Sequence, residues 1–123
     1  MESFEHHKSA YDRDGFVQIT SFLPPDEFEE LADNVARYVR DVAPTLPEGA
    51  SFYQEQGKPE TLKQLQRMGE YDSFFKEYCD NERWNTLAET LIGEPSKTMQ
   101  PEWFNKPPNT EHPTPPHQDN YYF

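Results

Sequence analysis

The residues whose types and spacing could do chemistry are His117 and Asp119, inside the closing stretch TPPHQDNYYF (114–123). On an extended backbone, side chains at i and i+2 leave the same face with Cα atoms about 6.6 Å apart, so the imidazole and the carboxylate can converge on one ion while Gln118 points away. One neutral nitrogen and one hard oxygen suit a first-row divalent cation. A second histidine would complete a facial set of three ligands of the kind that non-heme Fe(II) oxygenases use, leaving three positions for a cosubstrate and dioxygen. The same spacing also arises in any strand whose polar side faces water, and the pair alone does not choose between the two.

The elements that must position this pair are mostly helical. Residues 3–14 place Phe4, His7, Ala10 and Tyr11 at helical spacing, with Gly15 at the stop. GFVQITSFL (15–23) is rich in β-formers. The following stretch puts Phe28, Leu31, Val35, Tyr38, Val39 and Val42 on one stripe, with Pro25 in the first turn, acidic residues at the positive end of the dipole and Pro44 as the stop. ASFYQEQ (50–56) predicts a strand, and Leu62, Leu65 and Met68 predict a short helix ending near Gly69. Asp72 predicts the cap of a helix bearing Phe74, Phe75 and Tyr78; Asp80 or Asn81 predicts the cap of one bearing Trp84, Leu87, Leu91 and Ile92 before Gly93. From Lys97 to Asn105 the pattern is that of a strand, which Pro101 confines to an edge, a bulge or two pieces. Five of the twelve prolines fall between residues 107 and 116 and stiffen the connection to His117.

Composition bounds what such a scaffold can be. The 123 residues make one unit, 33% hydrophobic but 15% aromatic, which predicts a folded chain with a thin core. A net charge of −12 argues against nucleic acid and anionic membranes as partners, because both demand clustered Lys and Arg. Cys79 is the only cysteine, so no internal disulfide can form. The absence of a signal-like or membrane-spanning stretch then suggests a reducing, cytoplasmic setting. His6 and His7, beside Glu5 and Lys8, fit a solvated helix face.

FNKPPNTEHPTPPHQDNYYF resembles the iron-ligand region of the phytanoyl-CoA dioxygenase family, whose members pair a lysine-proline-proline strand end with a downstream His-Gln-Asp and a nearby tyrosine. DGFVQITSFLPPDEFEEL is similar to the family's entry strand and first long helix, and LKQLQRM, FFKEY and LAETLIGEP to its middle helices. The similarity covers nearly the whole chain, with the His-Gln-Asp segment its most specific part. It implies an α+β fold, in which an amino-terminal helical layer is followed by the first strands of an incomplete double-stranded β-helix, a cupin-like jelly roll. Residues 1–123 would be the amino-terminal part of a single dioxygenase domain. The implied activity uses Fe(II) and 2-oxoglutarate to hydroxylate an unactivated carbon of a small-molecule or acyl-CoA-like substrate. Carried over residue by residue, His117 and Asp119 are the first two iron ligands and Lys63 contacts 2-oxoglutarate, while Asn105 donates to it. Lys63 reads equally well as an exposed helix charge, and for Asn105 a turn role before KPP is the stronger reading of the residue alone. Glu102 departs from the apolar residue expected near the cofactor.

The resemblance also implies a distal histidine and, beyond it, an arginine, and neither follows in this sequence. The expectation is therefore a portion that binds iron weakly and is inactive alone, completed by a carboxy-terminal half or a second chain. A non-catalytic interaction or regulatory fragment is the alternative. A zinc site built from His112, His117 and Asp119 ranks below both, because Pro113, Pro115 and Pro116 stiffen the chain between them. The acidic surface suits a polyanionic CoA thioester poorly unless a local basic patch offsets it. The oxygenase reading depends on imidazole 117 and carboxylate 119 projecting toward a shared cation; groups that diverge, or that lie flat against bulk water on an irregular coil, would end it.

Overall fold

In the computed structural model, which describes residues 3–111 and 113–119, the local signals of the sequence produce most of the helices expected. Helix α1 spans Glu5–Asp14 and ends at Gly15, whose φ of 81° is open to glycine and whose N–H donates to the Tyr11 carbonyl. Helix α2 spans Pro25–Arg37, with Asp26 and Glu27 in its first turn. Beyond Arg37 the helix widens into a π turn over Tyr38–Val42 and tightens into a 3-10 turn over Ala43–Thr45, where Pro44 ends it. Helices α3 (Met68–Tyr71), α4 (Ser73–Cys79) and α5 (Glu82–Ile92) follow. Asp72 caps α4 by accepting from the Phe75 N–H, and Asn81 caps α5 by accepting from the Arg83 N–H.

Strands β1 (Ser51–Tyr53), β2 (Leu62–Leu65) and β3 (Trp103–Phe104) form an antiparallel sheet in that order, so β2 is central and β3 lies at an edge. The class is α+β. Among the described residues the sheet stops at three short strands and does not make a double-stranded β-helix. Two other expectations are corrected. GFVQITSFL forms no strand, because a ladder needs a neighbour and no described strand runs beside it; the segment bends instead at Ser21, whose φ is 52°. Residues 62–65, expected as helix, pair with β1 as a strand.

The core lies between α2 and the sheet. Tyr38, Ala43, Leu62, Leu65, Met68 and Phe75 are buried together, with Leu31, Val35, Val39, Val42 and Trp103 packed against them. Tyr38 meets Phe75 edge-to-face with ring centroids 5.4 Å apart. A second aromatic cluster joins Phe4, Phe22, Trp84 and Tyr78. It ties α1 to α5, helped by the Lys8 ammonium donating to the Leu91 carbonyl in the last turn of α5. Arg83 of α5 grips Glu27 of α2 in a two-pronged ion pair, and Arg37 of α2 pairs with Asp72 at 2.8 Å. Between α2 and Trp103 of β3 lies an apolar groove of about 640 Å³, lined also by Phe28, Leu31, Val35 and Val39. Among the described residues no helix is long and apolar enough to cross a membrane.

Two expectations about stability follow from these contacts. The Tyr38 hydroxyl is buried without a hydrogen-bond partner among the described residues, and its pKa is pushed up to about 12, chiefly by burial and then by the Asp72 carboxylate. Tyr38→Phe should therefore leave urea stability within about 1 kcal/mol of wild type or raise it, whereas Tyr38→Ala should lose ~3–5 kcal/mol. The Asp72 carboxyl is held below the usual range, first by the hydrogen bond from Arg37, against the opposing effect of burial, with the Phe75 N–H adding to the lowering. Its contribution is thus complete above the unfolded-state pKa of about 3.9 and disappears as pH falls through the lower folded-state value. Asp72→Asn keeps a capping oxygen, so the stability gap to wild type should be about 1 kcal/mol at pH 7 and should close under acid; a pH-independent gap would contradict this origin.

Candidate functional site

Leu62 and Leu65 are both buried, yet residues three apart on an unbroken strand face opposite ways. The register resolves this. Phe52 pairs with Gln64 and Tyr53 with Leu62, so Lys63 is the extra residue of a β-bulge in β2. Bulges re-aim side chains. Lys63, reached in the sequence as a possible helix charge, instead lines a cleft of about 320 Å³ between the β2–β3 ladder and the proline-rich connection.

Asn105 follows β3 directly and lines the same cleft. Its backbone N–H donates to the Lys63 carbonyl at 2.8 Å and its Nδ2 donates to the Leu62 carbonyl at 3.0 Å. The amide thus clasps the end of β3 to β2 rather than closing a turn before KPP. That clasp takes one of its two N–H donors. Glu102, which broke the expected apolar pattern, is exposed and accepts from Gln64 Nε2 at 3.5 Å. The far wall is shaped by Thr110, Pro113, Thr114 and Pro115, with the Thr110 hydroxyl donating to the Pro107 carbonyl at 2.7 Å.

Two residues beyond Pro115, His117 brings Nδ1 to 2.9 Å from the Pro115 carbonyl and Nε2 to 3.2 Å from Asp119 Oδ1. The expected strand is not there: residues 113–118 carry no regular secondary structure, consistent with prolines at 113, 115 and 116 that have no N–H to give a ladder. The two side chains nevertheless converge. The tautomer decides which contact is a hydrogen bond: a proton on Nδ1 is donated to the Pro115 carbonyl, and a proton on Nε2 is donated to Asp119. Ligands bonded to one cation at about 2.1 Å lie ~3.0 Å apart at a right angle and ~3.4 Å apart at a tetrahedral angle, which brackets the observed separation. The donor set therefore fits a divalent cation as two adjacent ligands. The expectation is met in one respect and not in the other: the side chains approach each other, but they do so on irregular coil open to water, the Asp119 side chain being 84% exposed, and that setting counts against the metal-ligand reading.

Among the described residues no group of three or more His, Cys, Asp or Glu side chains is placed to hold a metal. His112, the third member of the zinc alternative, lies outside the described residues, as do Tyr121 and Tyr122. Sequence reasoning passed over Lys106, which lines the cleft beside Lys63 and Asn105. The signal was its place in KPP, where the chain leaves β3.

A family model described as phytanoyl-CoA dioxygenase matches residues 11–123. No curated protein and no solved structure matches the chain.

The clasp formed by Asn105 is open to a direct check. Asn105→Ala should lower stability by roughly 0.5–1.5 kcal/mol and accelerate hydrogen exchange of the residue-105 amide. Unchanged exchange would mean that the side chain does not hold β3 in place.

Proposed function

The chain belongs to the phytanoyl-CoA dioxygenase family, and on that premise we propose that it is the amino-terminal part of an Fe(II)- and 2-oxoglutarate-dependent oxygenase domain of jelly-roll type. The observation that carries this reading is the 3.2 Å approach of the His117 imidazole to the Asp119 carboxylate, two residues beyond a cleft lined by Lys63 and Asn105. When bound, iron would use dioxygen as the oxidant and 2-oxoglutarate as the co-reductant to hydroxylate an unactivated carbon of a small molecule.

The chain's own residues have separable roles in this reading. In it His117 and Asp119 supply one nitrogen and one oxygen as two adjacent ligands, and the contact of Nδ1 with the Pro115 carbonyl orients the ring. Lys63 places a cation where a carboxylate of the cosubstrate enters, and Asn105 has an N–H left to direct at it. Neither lysine nor amide moves a proton. Their part is to orient an anion beside the metal pair. This reading requires further ligands beyond His117 and Asp119, supplied by another segment or a second chain.

Anaerobic titration with Fe(II), or with Co(II) followed by its visible absorption, tests the metal pair. One equivalent should bind with a dissociation constant roughly in the micromolar range or weaker, since two protein ligands hold the ion loosely. Binding should disappear in both His117→Ala and Asp119→Ala. Stoichiometric binding that survives both substitutions would overturn the assignment.

A further inference from the structure

Resting on the functional reading above, we propose that the cleft also recognises an oxyanion of the substrate, a carboxylate or a phosphate, and that Lys106 is the residue that selects it. In a chain of net charge −12, cations are normally taken up by neighbouring carboxylates. That holds for most of them: Lys8, Lys58 and the arginines are all in ion pairs. Among the described residues the cations outside ion pairs are Lys63, Lys76, Lys97 and Lys106, and two of these four line this single cleft. Among the described residues, no carboxylate lines this cleft.

Like charges gathered without a counter-ion raise the local potential and attract an anion. The walls combine that positive potential with apolar surface from Phe104 and three prolines, and the volume, about 320 Å³, is that of a small-molecule pocket. Two ammonium groups exceed what one carboxylate of a cosubstrate requires. Lys63 is fixed by the bulge and sits across the ladder from Asn105, whose N–H donates to its carbonyl. Lys106 lies one residue further on, where the chain leaves β3 for the connection that reaches His117. A substrate anion held there would keep the rest of the molecule beside the metal pair. The cleft is the local basic patch that makes an anionic substrate compatible with an acidic protein.

The test uses the whole chain without metal, so that it does not depend on the behaviour of His117 and Asp119. Chemical shifts of the Lys106 and Asn105 amides are followed while succinate, inorganic phosphate or dimethyl succinate is added, with and without saturating 2-oxoglutarate. Saturable shifts are expected for the two anions and not for the neutral ester. A second anion should still bind when 2-oxoglutarate is present, and whichever of succinate and phosphate binds more tightly identifies the group on the substrate. Lys106→Ala should weaken that second binding roughly fivefold or more, with Lys106→Arg restoring part of it, while Lys63→Ala should mainly weaken 2-oxoglutarate. Equal binding of the ester, or unchanged affinity in Lys106→Ala, would overturn the proposal. Simple competition between every anion and 2-oxoglutarate would also overturn it, leaving a single cosubstrate site and the oxygenase reading intact.

Discussion

Leu62 and Leu65 can both reach the core only because β2 carries an extra residue between Leu62 and Gln64, and that residue is Lys63. One irregularity therefore meets two demands. It puts both leucines against Tyr38, Met68 and Phe75, and it leaves Lys63 as a lining residue of the cleft. The position of the lysine depends on the burial of its neighbours.

The molecule is otherwise tied together by a few long-range polar contacts laid over two aromatic clusters. Asp72 serves both as the cap of α4 and as the partner of Arg37 on α2, while Arg83 links α5 to α2 through Glu27. These contacts hold the helices around the sheet without entering the cleft. The cleft depends instead on β2, on the Asn105 clasp and on the proline-rich connection, which restricts the backbone without adding a strand.

What could be read from the sequence divides along the same line. Helices α1, α2, α4 and α5 were legible because their signals are local: a stripe from Phe28 to Val42, caps at Asp72 and Asn81, and glycine stops at 15 and 93. Residues 62–65 were not, since a bulged strand imitates the three-residue spacing of a helix and only pairing with Ser51–Tyr53 distinguishes them. GFVQITSFL shows the converse, β-forming residues to which no described strand runs parallel or antiparallel. At the site, the types and spacing of His117 and Asp119 were readable, but the strand expected to aim them was not borne out. Their backbone was not legible, because the prolines that precede them matter more than the β-propensity of the residues that follow. Lys106 went unnoticed since its importance lies in what surrounds it, a wall free of carboxylates, and that is a property of three dimensions.

The edge position of β3 carries one more implication. Trp103 packs toward the core and Phe104 is 69% exposed, so this two-residue strand already has an inside and an outside. Any chain segment that hydrogen-bonds to its outer rim must adopt the same alternation, because cross-strand neighbours share a face. A dipeptide thus sets the parity of whatever sheet is built onto it, and an insertion of a single residue before Trp103 would invert that parity for every strand beyond.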